Sequence, residues 1–219
     1  MLPDNLFEPA HYEKVRRPLT EASTLPSWCY TTEAFYQREV EHIFLKGWNF
    51  AGRLDEIPEP GDYMVLDFCG ESVIIVRGND DDVRAFVNVC RHRSARLLDG
   101  RGHCRTIVCP YHSWVYGLDG KLVRMKGMEQ TDQFDPSENG LITLRVEGWA
   151  GFLFVSFASD VMPLEEYLGD MTEQYASYRF AEMLCVRRKS YDLKCNWKLY
   201  IENAMEDYHT ATVHRGSIG

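Results

Sequence analysis

Apolar positions recur along the chain with two different periods. Between Thr32 and Gly47, Phe35, Val40, Ile43 and Phe44 form a stripe at helical spacing; Thr31 or Thr32 stands where an N-cap belongs and Gly47 ends the run, so a helix is predicted here. After a PEPGDY turn the period shortens to that of strands. Tyr63–Phe68 and Ser72–Arg77 predict a hairpin across Cys69-Gly70-Glu71. Val83–Val89, Arg105–Val108, Leu141–Val146 and Gly151–Phe157 predict further strands, and Gly117-Leu118-Asp119-Gly120 predicts a turn between Ser113–Tyr116 and Lys121–Arg124. Short strands at such close spacing imply an antiparallel β domain over residues 45–157, behind an N-terminal helical segment, 1–44. From Pro163 the pattern changes: Leu164–Tyr178 predicts a helix, Met183–Leu193 a strand, and Asn196–His209 a helix capped by Asn196. One strand and two helices cannot close a core, so 158–219 reads as the opening of a second domain whose remainder is absent, and the fold class as α+β.

Composition narrows the function classes. Apolar residues are 45% and charged residues 26% of the 219, which excludes wholesale disorder. Thirty-three acidic against 24 basic side chains leave a formal charge of −9, the wrong sign for a nucleic-acid binder. The longest nearly apolar run, Trp149–Ala158, falls short of the ~20 residues a membrane span needs. The start, MLPDNLFEPAHYEKVRR, lacks the apolar centre of a secretory signal, and a cytoplasmic protein is expected. Seven cysteines in a reducing compartment are packing residues, metal ligands or catalytic thiols. Cys29, Cys69, Cys185 and Cys195 have no histidine at ligand spacing and read as packing. Cys90, Cys104 and Cys109 crowd together with His92, His103 and His112.

Within that crowd the order is Cys90-x-His92, sixteen residues, then Cys109-x-x-His112. Alternate residues of an extended segment face one way, so Cys90 and His92 share a side, and Pro110 stiffens the second loop. Both loops leave predicted strands. A structural zinc is one reading, but zinc sites use Cys–Cys and His–His pairs. One Cys with one His in each half suits a Rieske [2Fe–2S] cluster, in which two cysteines hold one iron and two histidines the other. Chance register of core residues is the third reading. Cys104 and His103 match no ligand position and read as structural.

Cys90-Arg91-His92-Arg93 and Cys109-Pro110-Tyr111-His112-Ser113-Trp114, followed by Tyr116-Gly117-Leu118-Asp119-Gly120, resemble the Rieske domain of ring-hydroxylating oxygenase α subunits. Respiratory Rieske proteins carry an extra cysteine in each loop; Ala95 and Tyr111 stand there, so that disulfide cannot form and a low-potential, soluble centre is implied.

The tail carries a second constellation. On a helix Glu206 and His209 share a face, whereas His214, five residues on, lies roughly 140° round. Both imidazoles then meet one metal only if the helix breaks after His209, and Thr210-Ala211-Thr212-Val213 is weak enough as helix for that. Two histidines with a carboxylate and open positions form the facial triad of non-haem Fe(II) oxygenases; taken alone, two such histidines are ordinary surface or core groups as readily as ligands. The same oxygenase family carries Asn-Trp-Lys and then carboxylate-x-x-His-x₄-His, matched by Asn196-Trp197-Lys198 and Glu206-x-x-His209-x₄-His214, so the resemblance spans about 35–219. Glutamate at 206, where ring-dihydroxylating members more often have aspartate, is similar to the choline, betaine and carnitine branch. The family's downstream carboxylate iron ligand has no counterpart before Gly219, and Asp207 is a poor substitute.

The resemblance implies an antiparallel Rieske domain inserted at the start of a helix-grip catalytic domain. It also implies electrons from NAD(P)H, passed by a flavin/iron–sulfur reductase or a ferredoxin to the cluster and on to a mononuclear Fe(II) that activates O₂. An aromatic compound is hydroxylated, or an N-methyl (quaternary ammonium) compound hydroxylated or demethylated. The implied assembly is a homotrimer or an α/β hetero-oligomer, in which the cluster of one subunit serves the iron of its neighbour and Glu206 accepts hydrogen bonds from His112 and His209. A second chain supplying the missing catalytic region is a further expected partner; nucleic acid and membrane are not. The rival function is a Rieske ferredoxin-like electron-transfer protein with no oxygenase chemistry of its own.

Overall fold

The structure is a computed structural model that describes residues 2–128 and 131–216. The chain divides into two compact units, one of residues 42–188 and one of residues 1–41 with 189–219. Among the described residues no helix is long and apolar enough to cross a membrane.

Among the described residues the larger unit holds ten strands: β1 (Asn49–Arg53), β2 (Asp62–Phe68), β3 (Glu71–Arg77), β4 (Val83–Val87), β5 (Arg101–His103), β6 (Ile107–Val108), β7 (Val115–Tyr116), β8 (Leu122–Arg124), β9 (Thr143–Trp149) and β10 (Phe152–Ser156). Seven form an antiparallel sheet in the order β1-β10-β9-β4-β3-β2-β5, and β6-β7-β8 form a second, smaller antiparallel sheet. The predicted hairpin is β2–β3, with Tyr63 opposite Val76 and Phe68 opposite Glu71. β3 is buried on both faces, which explains its unbroken apolar run. Ile74 and Val76 enter a core with Phe86, Trp114 and Tyr116, while Val73 and Ile75 enter another with Met64, Leu144 and Val155.

Several segments differ from the pattern-based expectation: the predicted helix Thr32–Gly47 is an α-helix only over Glu33–Glu39, and the predicted strand Arg105–Val108 is only Ile107–Val108. The predicted helix Leu164–Tyr178 is interrupted: it runs Leu164–Leu168, then Met171–Gln174 and a 3₁₀ turn Ala176–Tyr178, because Gly169 adopts φ 55°, outside helical space. The predicted strand Met183–Leu193 is irregular and has no ladder partner among the described residues. Its first half is held by side chains instead: Cys185 N–H donates to Asp55 Oδ2 at 2.8 Å, and Arg188 donates to Glu56 Oε2 at 2.7 Å. The last predicted helix is shorter than expected, Trp197–Ala204, with Asn196 accepting from Lys198 N–H as its cap. β1 and β5 were not legible in the sequence pattern.

In the smaller unit the helices Trp28–Thr31 and Glu33–Glu39 adjoin, and the chain runs on through a π-helical turn Val40–Phe44 into the larger unit. The smaller unit also contains a 3₁₀ turn Pro9–Tyr12, the helix Trp197–Ala204 and a single turn Thr210–Val213.

Candidate metal centres

The first loop follows β4 and the second follows β6, and the two are built alike. Cys90 N–H donates to Ala95 O at 2.8 Å and Ser94 N–H to Cys90 O at 3.1 Å; Cys109 N–H donates to Trp114 O at 2.7 Å and Ser113 N–H to Cys109 O at 3.0 Å. Ser94 and Ser113 occupy the same place in each loop at φ 54° and 57°, the left-handed region that closes so tight a turn. Asn88, 1% exposed, clamps the first loop: its Oδ1 accepts from Leu97 and Leu98 N–H, and its Nδ2 donates to Leu98 O. Sequence reading missed Asn88; a buried amide just after a strand is its only signal.

Two buried thiols, Cys90 and Cys109, lie at the base, and two imidazoles at the tip. The His92 and His112 rings are 4.6 Å apart at 67°. His92 stacks on Trp114 at 4.8 Å and 8°, and Tyr111 covers His112 at 3.8 Å. His92 is exposed, so the tip reaches solvent. The Tyr116 hydroxyl lies 3.2 Å from Cys90 Sγ and accepts from Arg91 N–H at 3.0 Å, which turns its own proton toward the sulfur. Tyr116 was quoted in the sequence only as part of a motif, and its role beside the sulfur emerges from the fold.

These residues fit a [2Fe–2S] cluster. His112 Nδ1 is buried with no hydrogen-bond partner, an orphan that metal ligation satisfies. Burial pushes the Cys90 thiol up, the Tyr116 hydroxyl and the His92 backbone N–H pull it down, and the adjoining Cys109 raises it again. Crowded beside Cys109 in an apolar base, Cys90 resists ionisation until a cation compensates it. Burial, then the neighbouring His92 and Arg93, holds the His112 pKa below its ordinary value, in the neutral form that ligates metal. Cys104 packs against the core beneath and His103 bonds Asp62 at 3.0 Å.

The second constellation lies in the smaller unit. The helix that begins at Trp197 stops at Ala204, five residues earlier than expected, and the break precedes His209 instead of following it. Thr210–Val213 is helical after all, and His209 and His214 flank this single turn. The Thr212 hydroxyl bonds His209 O at 3.0 Å, occupying a carbonyl of so short a turn. The turn brings the two rings to 5.3 Å at 68°. Glu206 Oε1 lies 2.5 Å from His209 Nδ1, which leaves His209 Nε2 as the ring atom available to a ligand. That hydrogen bond is the main cause holding the Glu206 carboxyl below its ordinary value. Among the described residues no third His, Cys, Asp or Glu joins this pair within range of one ion. Asp207 makes only a backbone contact here, its carbonyl accepting from Thr210.

Residues 47–135 match the family described as the Rieske [2Fe-2S] domain, and residues 180–219 match the ring hydroxylating alpha subunit (catalytic domain). The chain is 34% identical over 198 residues to the carnitine monooxygenase oxygenase subunit of Acinetobacter baumannii, a match covering 89% of this chain and 53% of that protein. It is 34% identical over 221 residues to the chloroplastic choline monooxygenase of Spinacia oleracea, covering 97% and 50%. The chain thus spans about half the length of the curated relatives it matches. Among solved structures it is similar to the quaternary ammonium Rieske monooxygenase CntA in complex with L-carnitine, with TM-score 0.86, 33% identity, and 89% and 56% of the two chains covered. It is also similar to the naphthalene 1,2-dioxygenase of a Rhodococcus species, with TM-score 0.80, 29% identity, and 88% and 46% covered. Cluster loops of this build, followed along the chain by a stretch matching the catalytic domain, make the chain a member of the Rieske non-haem iron oxygenase α subunits.

Proposed function

We propose that this chain is the electron-receiving part of an oxygenase that hydroxylates or demethylates a quaternary ammonium compound. Residues 45–157 are then its Rieske domain, 1–44 an N-terminal helical segment, and 158–219 the opening of its catalytic domain. The juxtaposed His209 and His214, with Glu206 orienting His209, carry this reading. A ferredoxin-like carrier has no use for that arrangement. The names of the relatives, carnitine and choline monooxygenases, support an N-methyl ammonium substrate over an aromatic ring.

Cys90, Cys109, His92 and His112 would hold the cluster, and His209 and His214 the ferrous ion. The cluster supplies one-electron storage and the ferrous ion supplies dioxygen activation. The chain's own contribution is positional. Trp114 and Tyr111 fix the planes of His92 and His112, Tyr116 holds a proton against Cys90 Sγ, and Glu206 holds one on His209 Nδ1. Electrons derived from NAD(P)H arrive from a flavin/iron–sulfur reductase or ferredoxin. One solved structure of CntA is described as giving insight into inter-subunit electron transfer. By the same logic Glu206 accepts a second hydrogen bond from His112 of a neighbouring subunit in a trimer. A cytoplasmic setting agrees with seven cysteines of which none is paired.

Glu206→Gln in the oxygenase tests this. It keeps the shape and removes the charge, so both metal contents should persist while product formation falls about 10–100-fold, the usual effect of losing a partner of a metal ligand. Asp207→Asn should change little. Full turnover by Glu206→Gln would dismiss the bridging role.

A further inference from the structure

The smaller unit contains a buried charge pair that neither ligand set uses. Glu39 is 6% and Lys198 7% exposed, and Lys198 Nζ lies 2.5 Å from Glu39 Oε1. The other carboxylate oxygen accepts from Trp197 Nε1 at 2.9 Å. The rings of Tyr30, Phe35 and Trp197 enclose the ammonium, with centroids 5.2, 5.3 and 5.4 Å away. One turn further along, the Tyr30 hydroxyl donates to Glu202 Oε1 at 2.8 Å. Residues 30–39 therefore supply these polar anchors to the first two turns of the helix Trp197–Ala204.

Apolar packing does not do this work. Leu199, Tyr200 and Ile201 are 48%, 60% and 45% exposed, and the three apolar cores found among the described residues all lie in the larger unit. A buried ion pair adds little net stability, because removing both charges from water offsets their attraction. It does penalise every arrangement that separates them. Slipping this helix by one residue turns its faces by roughly 100°, carries the Lys198 ammonium away from Tyr30 and Phe35, and strands the buried Glu39 carboxylate without its cation.

We propose that Glu39 and Lys198 are positioning residues whose caged ion pair fixes the rotation and register of the helix Trp197–Ala204, and thereby the direction in which the following turn presents Glu206, His209 and His214. The inference rests on the reading of those histidines as iron ligands and deepens it. Its test uses the oxygenase with Glu39→Gln, Lys198→Gln and the double variant Glu39→Met/Lys198→Met. The singles leave one buried charge unpaired and should lose thermal stability. The double variant fills the aromatic box with apolar side chains, so it folds even if the singles do not, and should recover a midpoint near that of the parent.

Register should not recover with it. In the double variant amide exchange over residues 205–214 should be at least tenfold faster. Ferrous iron should be lost to a competing chelator at about tenfold lower concentration, with the spectrum of the reduced cluster unchanged. Parent-like exchange and iron retention in the double variant would overturn the proposal. So would an exchange increase spread evenly over the smaller unit in step with a lowered midpoint, which marks a merely structural pair. If the parent itself holds no ferrous iron at His209 and His214, the iron reading fails while the exchange comparison still decides the positioning role.

Discussion

At the scale of single residues, chemistry is set by what touches a ligand or a charge. The Tyr116 hydroxyl is turned toward Cys90 Sγ, and burial together with that sulfur pushes its own pKa well up, so it stays a donor at any working pH. A hydrogen bond to a ligating sulfur draws off negative charge and favours the reduced cluster. Tyr116→Phe should therefore lower the reduction potential with the cluster still loaded, as read by potentiometric titration; an unchanged or raised potential refutes the assignment. Glu56 allows a pH prediction. Burial pushes its carboxyl up, but the Arg53 N–H and the Arg101 and Arg188 guanidinium groups outweigh this, and the net shift is downward. A folded-state pKa below the unfolded one stabilises above about pH 4.3, the unfolded value, and the contribution vanishes as pH falls through the folded value. Both arginines are nearly half exposed, so solvent screening holds the effect to about 1–2 kcal/mol. Urea unfolding should show Glu56→Gln less stable by that amount at pH 7, with the gap to the parent closing toward pH 3. At this scale the candidate cluster residues Cys90, His92, Cys109 and His112 stand out in the sequence, because Cys and His at fixed spacing have few other uses, and the fold brings them together. Tyr116, Asn88 and Glu56 do not, since most of their partners lie 9 to 132 residues away and only the fold brings them together.

At the scale of elements, strands were legible wherever one pattern had one cause. β2, β3, β4 and β10 lie within a residue or two of expectation because alternation or an unbroken apolar run maps directly onto buried faces. β5, Arg-Gly-His, is exposed throughout and carries no apolar signal; it forms because the β2 edge accepts it, with Asp62 opposite His103. Met183–Leu193 failed the other way: its apolar start, Met183 to Val186, was present, but Leu184 and Val186 are 70% and 94% exposed and, among the described residues, meet no ladder. The helix Trp197–Ala204 ends early, and Met205 to Tyr208 lead into the turn that brings the His209 and His214 rings to 5.3 Å, an arrangement that helical periodicity cannot report. Turn geometry gives the prediction at this scale. Gly120, between β7 and β8, has φ 84°, and a Cβ there would sit 2.5 Å from Phe86 in the core; Gly70, in the β2–β3 turn, has the same φ but open space around it. Gly120→Ala combines backbone strain with overpacking and should cost about 2–4 kcal/mol, against about 1–2 for Gly70→Ala. Denaturant midpoints of the two variants decide it, and equal losses would mean that the Phe86 contact relaxes freely.

At the scale of the whole molecule, the proposed function requires a chain of net charge −9 to meet an electron donor. Most arginines of the larger unit have a carboxylate partner: Arg53, Arg77, Arg84, Arg96, Arg101, Arg145, Arg179 and Arg188 all do. Arg91 and Arg93, on either side of His92, are exposed, and among the described residues neither guanidinium has one; Arg93 only lies over the Tyr111 ring, at 5.6 Å. The imidazole tip is thus a small basic place on an acidic body, and it suits a donor that presents carboxylates. Two fields then oppose each other, and screening decides between them. At about 0.1 M salt the Debye length is near 10 Å, so a docking donor feels the two arginines and little of the remote acidic surface; at about 0.01 M it is near 30 Å, and the net negative charge repels such a donor. Reduction of the cluster by its reductase should accordingly be fastest at intermediate ionic strength and slow on either side. Arg91→Gln/Arg93→Gln should remove the maximum, cutting the second-order rate at about 0.1 M roughly tenfold, with salt then only relieving repulsion. Stopped-flow reduction across a salt series measures this directly. A rate that falls monotonically from the lowest salt, or a double variant that keeps the maximum, would show that the donor docks away from the imidazole tip.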